Sequence, residues 1–385
     1  MVVDFNDEIL IPDGEVSDFA VVACDQFSAN PEYWNALGKK LPVERSALGL
    51  ILPECFLFEA EPRLAQIKKN AAAMLSGGRF KAVHGAVAVT RTTVYGRVRK
   101  GIVASVDLSD YDYRPGSAAL IRASERTIEE RIPPRVAIRE AIDIELPHIL
   151  LLVDDRENLL MSAVDAAKKT PLYDCDLKGD GGHVKGELIE DCASLYAAVD
   201  GIIQAAEKRL HTRLFALVGD GNHSLATAKY CGEHFPTAKN GRALVEIINI
   251  YDDGLLFEPI HRLVKTDDPV MFADSFKSAV KGGASAELWV GDACITVNVP
   301  EDKIDAINAV DKFCETYVKH FGGSIEYVHG DAALKQVGHV GIKLRGIEKS
   351  ELFEYVIKNG VLPKKTFSLG EAEEKRFYIE ARKIK

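Results

Sequence analysis

Residues 214–229 read LFALVGDGNHSLATAK: an apolar run, two glycines flanking Asp220, then a small-residue helical pattern with no spacer between them. That order commits the chain to a strand at 214–218 that turns at once into a helix from about 222, because glycine supplies the backbone freedom so tight a turn needs. A strand delivered straight into a helix start offers free backbone N–H groups and a positive helix end to an anion. Two readings of the turn stay open. Asp220 and Asn222 are ordinary N-caps, and Gly219 and Gly221 ordinary turn residues. Yet Asp220, Asn222 and His223 are three polar groups where one cap suffices, at a strand end where open α/β sheets place ligands. On that second reading Asp220 acts as a base or metal ligand and His223 donates to a phosphate, with Gly219, Gly221, Asn222 and Ser224 completing a phosphate cradle.

The rest of the chain predicts an α+β protein with a mixed sheet. Residues 81–108 are rich in Val and Thr with polar alternation, which reads as two or three antiparallel strands. FAVVACD (19–25), LGLILP (48–53), HILLLVDD (148–155) and RALVEIINIYDD (242–253) read as further strands, and GDGG (179–182) as the tip of a hairpin. Helical patterns cover 59–78 and 191–210. Residues 1–265 are expected to form the main domain, 266–335 a smaller α/β unit, and 336–385 a C-terminal segment that returns to the main domain.

Charge and motifs remove several function classes. A formal charge of -10 disfavours a nucleic-acid or anionic-membrane surface, which needs a positive field. The seven cysteines form no CxxC pair and suit reduced thiols. MVVDFNDEIL has acids where a signal peptide needs a basic start, and no run reaches membrane-spanning length, so a cytoplasmic location is expected. No P-loop, G-x-S-x-G or zinc-type HxxxH, CxxC or HExxH motif occurs. Ser224 stands where a dinucleotide fingerprint would have its third glycine.

VGDGNHSLATAK resembles the Asp-Gly-His-His-Arg segment of a widespread bacterial and archaeal family, domain of unknown function 1015. FAVVACDQFSANPEYW, LILPE, RIPPRVAIREAIDIELPHILLLVDD, GGHVKG, FEPIHR, SIEYVHG and LPKKTFSLGEAEEKRFYIEARKI resemble its other segments, in order and over nearly the whole chain. That family name carries no activity. More distantly, the turn is similar to the phosphate-binding helix start of the ParB and sulfiredoxin superfamily. Its members include a CTP-hydrolysing DNA-segregation protein, an ATP-dependent sulfinic-acid repair enzyme and an ADP-dependent kinase of free serine. The resemblance implies a ParB/sulfiredoxin-like core, with the motif's His and Arg as phosphate ligands. This chain keeps Asp220, Gly221 and His223 but has Asn222 for one His and Ser224 for the Arg, and serine cannot replace a bidentate, permanently charged fork.

Other groups are candidates to fill that gap. Arg135 lies between Arg131 and Arg139 at four-residue spacing, although Pro133 and Pro134 argue against one continuous helix, and salt bridges to neighbouring glutamates explain the arginines equally well. His183 and Lys185 share a face of the hairpin. His261 with Arg262, and Lys364, Lys365 and Thr366, lie in segments of the family resemblance and are expected phosphate contacts. Asp25, Asp154 and Asp155 end strands and would hold Mg²⁺ if they converged. The expected ligand is a nucleotide (ADP, ATP or CTP) or a phosphorylated small molecule, with Mg²⁺ and with phosphoryl transfer or nucleotide hydrolysis as the chemistry. The alternative is a non-catalytic nucleotide-sensing or protein-binding module, which loss of the Arg would suit. A homo-oligomer is compatible with either.

Overall fold

The computed structural model describes residues 1–27, 30–328 and 330–385, the side chains of Phe58 and Glu59 apart. Ser28, Ala29 and His329, which fall in two of the family segments, lie outside the described residues. The fold is α+β, and the chain divides into two compact units. One comprises Met1–Leu255, Ile357–Gly360 and Ala372–Lys385; the other comprises Leu256–Val356 and Val361–Glu371.

The first unit is built on a ten-stranded mixed sheet of β1 (Val3–Asp4), β2 (Ala86–Thr92), β3 (Val98–Asp107), β4 (Tyr111–Asp112), β5 (Ile121–Ala123), β6 (Leu150–Val153), β7 (Thr170–Leu177), β8 (Gly182–Ile189), β9 (Ala216–Asp220) and β10 (Arg242–Asn249). The order is β7-β8-β2-β3-β10-β6-β9-β5-β4, with β1 alongside β3. β6 runs parallel to β10 and antiparallel to β9 in the middle of the sheet, and all four of its residues are buried, those on one face as well as those on the other. That position explains why LLLV is apolar throughout instead of alternating. β10 alternates: Ala243, Val245 and Ile247 pack with residues of the helices Leu159–Ala166, Ala193–Leu210 and Asn222–His234. Leu244 faces the other way, into a core made by the N-terminal segments and residues 377–381.

Two local expectations change. LGLILP forms no strand: Ala47–Gly49 is a 3-10 turn, and residues 50–52 bury their side chains without a pairing partner before Pro53. The Pro133-Pro134 pair begins a helix instead of breaking one, since the first helical turn has N–H groups to spare. Ile132–Ala141, here α1, therefore carries Arg135 and Arg139 together while Arg131 precedes it. The helices Leu159–Ala166, Ala193–Leu210 and Asn222–His234 are α2, α3 and α4.

The second unit is an antiparallel five-stranded sheet of β11 (His261–Lys265), β12 (Ala284–Val290), β13 (Ala293–Val299), β14 (Ser324–Val328) and β15 (His339–Lys343), ordered β13-β12-β15-β11-β14. Its helices α5 (Pro269–Ala279) and α6 (Lys303–Phe321) meet through edge-to-face contacts of Phe272 and Phe276 with Phe313. Among the described residues no helix is long and apolar enough to cross a membrane.

Candidate functional site

β9 ends at Asp220, and Gly221 takes φ +80 as the N-cap of α4. A side chain at 221 would be strained by that φ and would also meet the Ile149 backbone at 3.0 Å, so glycine is required on two counts. The polar residues around it are not caps. Among the described residues Asp220 Oδ1 accepts only from the adjacent Gly221 N–H, at 2.9 Å, and no side chain caps α4. Asn222 Oδ1 is buried with no hydrogen-bond partner among the described residues. The thirteen-residue α4 thus begins on a glycine, with no side-chain cap hydrogen bond among the described residues and with the Asp220 carboxylate beside its N-terminal end.

Around this helix start lies a polar chain drawn from three distant parts of the sequence. Ser224 Oγ is 3.3 Å from His148 Nε2, and His148 Nδ1 is 2.8 Å from Tyr378 Oη. Tyr378 Oη accepts from the Cys24 N–H at 3.2 Å, which turns its own proton toward Nδ1. The His148 proton then sits on Nε2, facing Ser224 and the Asp25 carboxylate 3.7 Å away. Burial alone would raise the Asp25 carboxyl, but His148, the Gln26 amide and Lys375 hold it below the usual carboxylate range. Lys375 Nζ also lies 3.3 Å from Asp220 Oδ2, so one ammonium serves both acids. The β6–β9 register supplies the frame: Leu150 pairs with Asp220, which puts His148, just ahead of β6, at the α4 end of the sheet.

A cavity of about 130 Å³ opens beside this chain, with Ser224, Thr227, His148 and Tyr378 in one wall. Aliphatic residues such as Ile51, Ile138 and Ile149 line much of the remainder. Arg135 reaches it from α1, where it is ion-paired with Glu54 and donates to the Arg131 carbonyl at 2.8 Å. Cys24 also lines the cavity, but burial, reinforced by Asp25, pushes its thiol up to about 12, which removes it as a thiolate nucleophile at neutral pH. His223 faces elsewhere: its Nε2 accepts the Ile128 N–H at 3.1 Å, which fixes its proton on Nδ1 and ties the chain entering α1 to α4.

The remaining candidates of the first unit, Asp154, Asp155, His183 and Lys185, do not gather here. Asp154 and Asp155 lie at the far end of β6, four residues from Leu150 and about 13 Å along the strand from the level of Asp220. There Asp154 pairs with Arg209 and accepts from Tyr251 Oη at 2.8 Å, while Asp155 Oδ2 accepts the Leu160 N–H of the first turn of α2 at 2.8 Å. The three aspartates therefore do not converge, and among the described residues no group of three or more His, Cys, Asp or Glu could hold a metal ion. His183 and Lys185 are on β8, five strands from β9 and thus about 24 Å across the sheet. Lys185 pairs with Glu187 at 2.9 Å.

His183 sits between Asp174 and Asp176, 2.7 Å from each. The Asp176 bond, with Asp174 adding to it, raises its pKa above 6.5. Its contribution to the hairpin is therefore complete below about pH 6.5 and is lost as pH rises through the higher folded value. An NMR titration should find His183 above 6.5 in the native protein and moved back toward 6.5 by Asp176→Asn. A native value at or below 6.5 would contradict the geometry.

His261, Arg262, Lys364, Lys365 and Thr366 belong to the second unit, where they have structural work. Arg262 is fully buried, and its Nε and Nη2 make a fork to Asp311 at 2.6 and 3.0 Å. His261 Nδ1 accepts the Leu344 N–H at 3.2 Å, Lys364 is 3.5 Å from Glu315, and buried Thr366 donates to the Pro363 carbonyl at 2.8 Å. The residues that sequence reasoning missed are His148, Lys375 and Tyr378. All three stand inside segments of the family resemblance, PHILLLVDD and EEKRFYIEARK, where the neighbouring acids and lysines drew attention instead.

A family model described as a protein of unknown function (DUF1015) matches residues 8–333. No curated protein matches the chain significantly. Among solved structures, a free serine kinase in complex with AMP is 14% identical with a TM-score of 0.39, the match covering 74% of this chain and 91% of that one. SbnI with a C-terminal truncation, from Staphylococcus aureus, is 12% identical with a TM-score of 0.38, covering 72% and 82%. A conserved hypothetical protein from Pyrococcus furiosus is 12% identical with a TM-score of 0.35, covering 72% and 90%.

Proposed function

Because the chain belongs to the DUF1015 family, whose name assigns no activity, we propose a function from the site's own chemistry. The protein binds a phosphorylated small molecule, a nucleotide such as ADP, ATP or CTP among the candidates, with a phosphate at the start of α4, and transfers a phosphoryl group to a hydroxyl or to water. The observation that carries this reading is the uncapped α4 N-terminus with Lys375, Asp25 and the Ser224–His148 pair beside it. A helix end without a side-chain cap has first-turn N–H groups to spare, and a phosphate accepts from them.

Lys375 answers the missing motif arginine. It supplies positive charge as a point charge where an arginine would give a fork, so phosphate specificity falls more heavily on the backbone N–H groups. Asp25, ionised and oriented by His148, aligns the attacking hydroxyl and takes its proton late, the role a low-pKa carboxylate plays in phosphoryl transfer. His148 Nε2–H donates toward the oxygen that develops charge. Among the described residues no group of three or more His, Cys, Asp or Glu is placed to hold Mg²⁺. The paired Asp25 and His148 favour turnover over a binding-only module, which would need the helix end but no ionised acid beside it.

Calorimetric titration with ADP, ATP, CTP, pyrophosphate and phosphate, each with and without Mg²⁺, tests the reading. At least one should bind, and Lys375→Met should weaken it about tenfold or more, a loss of roughly 1.4 kcal/mol. Asp25→Asn should keep binding and lower turnover by about 10²-fold or more. Binding by none of the five ligands would remove the phosphate reading, and binding with no turnover in the wild type would favour the sensing module.

A further inference from the structure

The two large sheets have four edges, and three of them carry features that keep a further strand away. β7 holds Pro171, a break in its register to β8 between Pro171 and Tyr173, and the carboxylates of Asp174 and Asp176. β4 is two residues long, and β14 carries Glu326 at its centre. β13 differs from all three. It reads ACITVNV, seven residues with no charge and no proline, and its register to β12 runs unbroken from Val299 to Ala293.

The turn decides which backbone groups that edge presents. Gly291 and Asp292 are the whole connection between β12 and β13, so Val290 and Ala293 exchange both backbone bonds, as do Leu288 with Ile295 and Ala286 with Val297. The N–H and C=O groups of Cys294, Thr296 and Asn298 therefore point away from β12, and they have no partner among the described residues. The side chains of these three are exposed, while Val297 and Val299 are buried. The edge is thus a regular strand with a free row of donors and acceptors and nothing that repels a neighbour.

We propose that β13 pairs with β13 of a second copy, giving a two-fold dimer with one continuous antiparallel sheet, five strands from each copy. An antiparallel strand pair is its own mate under a two-fold axis, and an uncharged strand meets no repulsion from its copy. A foreign strand is selected by pockets for its side chains, which Cys294, Thr296 and Asn298 do not form. The register that uses all three outward residues sets Thr296 opposite Thr296 of the second copy and Cys294 opposite its Asn298. It makes about six backbone hydrogen bonds and places a threonine pair across the axis, which strands favour. At each end it brings Asp292 to Pro300 of the other copy, on whose carbonyl the Arg345 guanidinium sits at 3.0 Å. The Glu301 carboxylate turns back against Gly283, ahead of β12, so the acid of each turn approaches a guanidinium.

Sedimentation equilibrium of the full chain should show a dimer that dissociates on dilution, and Thr296→Pro should raise its dissociation constant about 100-fold or more. Proline there removes only an outward N–H, so every bond to β12 is kept. Because that variant could still fail to fold, Thr296→Cys gives a second reading. Opposed across the axis, its two Cα atoms lie about 5.5 Å apart, within disulfide range, so mild oxidation should give a covalent dimer. Native Cys294 is exposed but lies about 14 Å along the pair from its own counterpart, and it should not cross-link. A wild type that stays monomeric at about 100 µM, a dimer that Thr296→Pro leaves intact, or cross-linking through Cys294 and not through Thr296→Cys would overturn the pairing.

Discussion

Glu145→Ala is expected to lower stability by about 3–5 kcal/mol, seen as a lower urea midpoint with little change in slope. Glu145 is 5% exposed and sits between two arginines that come from opposite directions in the sequence. One carboxylate oxygen accepts from Arg382 Nε at 2.7 Å and the Leu244 N–H at 2.9 Å; the other accepts from Arg139 at 2.6 Å. Arg382 is 2% exposed and also donates to the Lys239 and Arg242 carbonyls at 3.0 and 2.5 Å. Removing the carboxylate leaves buried Arg382 with Asp7, 3.3 Å away, as its remaining acid, half-buried Arg139 without its carboxylate and a sheet N–H unpaired, a situation in which breaking a buried pair is costly. Burial alone would raise the Glu145 carboxyl, but Arg139, Arg382 and the Leu244 N–H hold it below its ordinary 4.5. Its stabilisation is therefore complete above about pH 4.5 and is lost as pH falls through the depressed native value. The gap between wild type and variant should narrow only in that acid range. A gap that closed between pH 7 and 5 would show that the carboxylate is not held ionised.

The same network explains which parts of the molecule could be read from sequence. β9, the glycine turn and α4 are local, so hydrophobic period and glycine placement sufficed to locate them. The hairpin of β7 and β8 was legible for the same reason. His148 was not, because nothing near it in sequence resembles a site. Its neighbours there depend on Leu150 pairing with Asp220 and on Tyr378 arriving from 230 residues away. Lys375 was hidden similarly: in EEKRFYIEARK it looks like one charge among many until it meets Asp220. Arg262 and Asp154 show the converse error. A charge beside a histidine, or two acids at a strand end, look like a ligand site, but a partner distant in sequence, Asp311 or Arg209, has already claimed each. LILP misled in another way, since burial alone gives an apolar run and a strand also needs a neighbour to pair with.

Arg262→Ala provides the sharpest separation of the ligand role expected from sequence and the structural role found. The guanidinium is fully buried in the second unit, forked to Asp311 and stacked 4.8 Å from the Tyr327 ring. It donates to the Ile260 and Lys365 carbonyls at 2.8 and 3.2 Å, so β11 and the 362–368 segment are fastened to one side chain. Lys365 sits there at φ +58, a conformation that non-glycine residues rarely adopt and that needs surrounding contacts to persist. Truncating the arginine leaves the Asp311 carboxylate without its fork and frees that segment, at an expected cost of about 3–5 kcal/mol. Hydrogen exchange should register the loss first at 261–265 and 363–369. Arg262→Lys keeps the charge but neither the fork nor both carbonyl bonds, so it should fall between wild type and alanine. A phosphate ligand would behave in the opposite way: an arginine held ready for an anion is under-partnered, and its removal leaves stability within about 0.5 kcal/mol. That result, together with weaker phosphate binding, would return Arg262 to the list of ligand contacts; a large loss of stability fixes it as the internal brace of the second sheet.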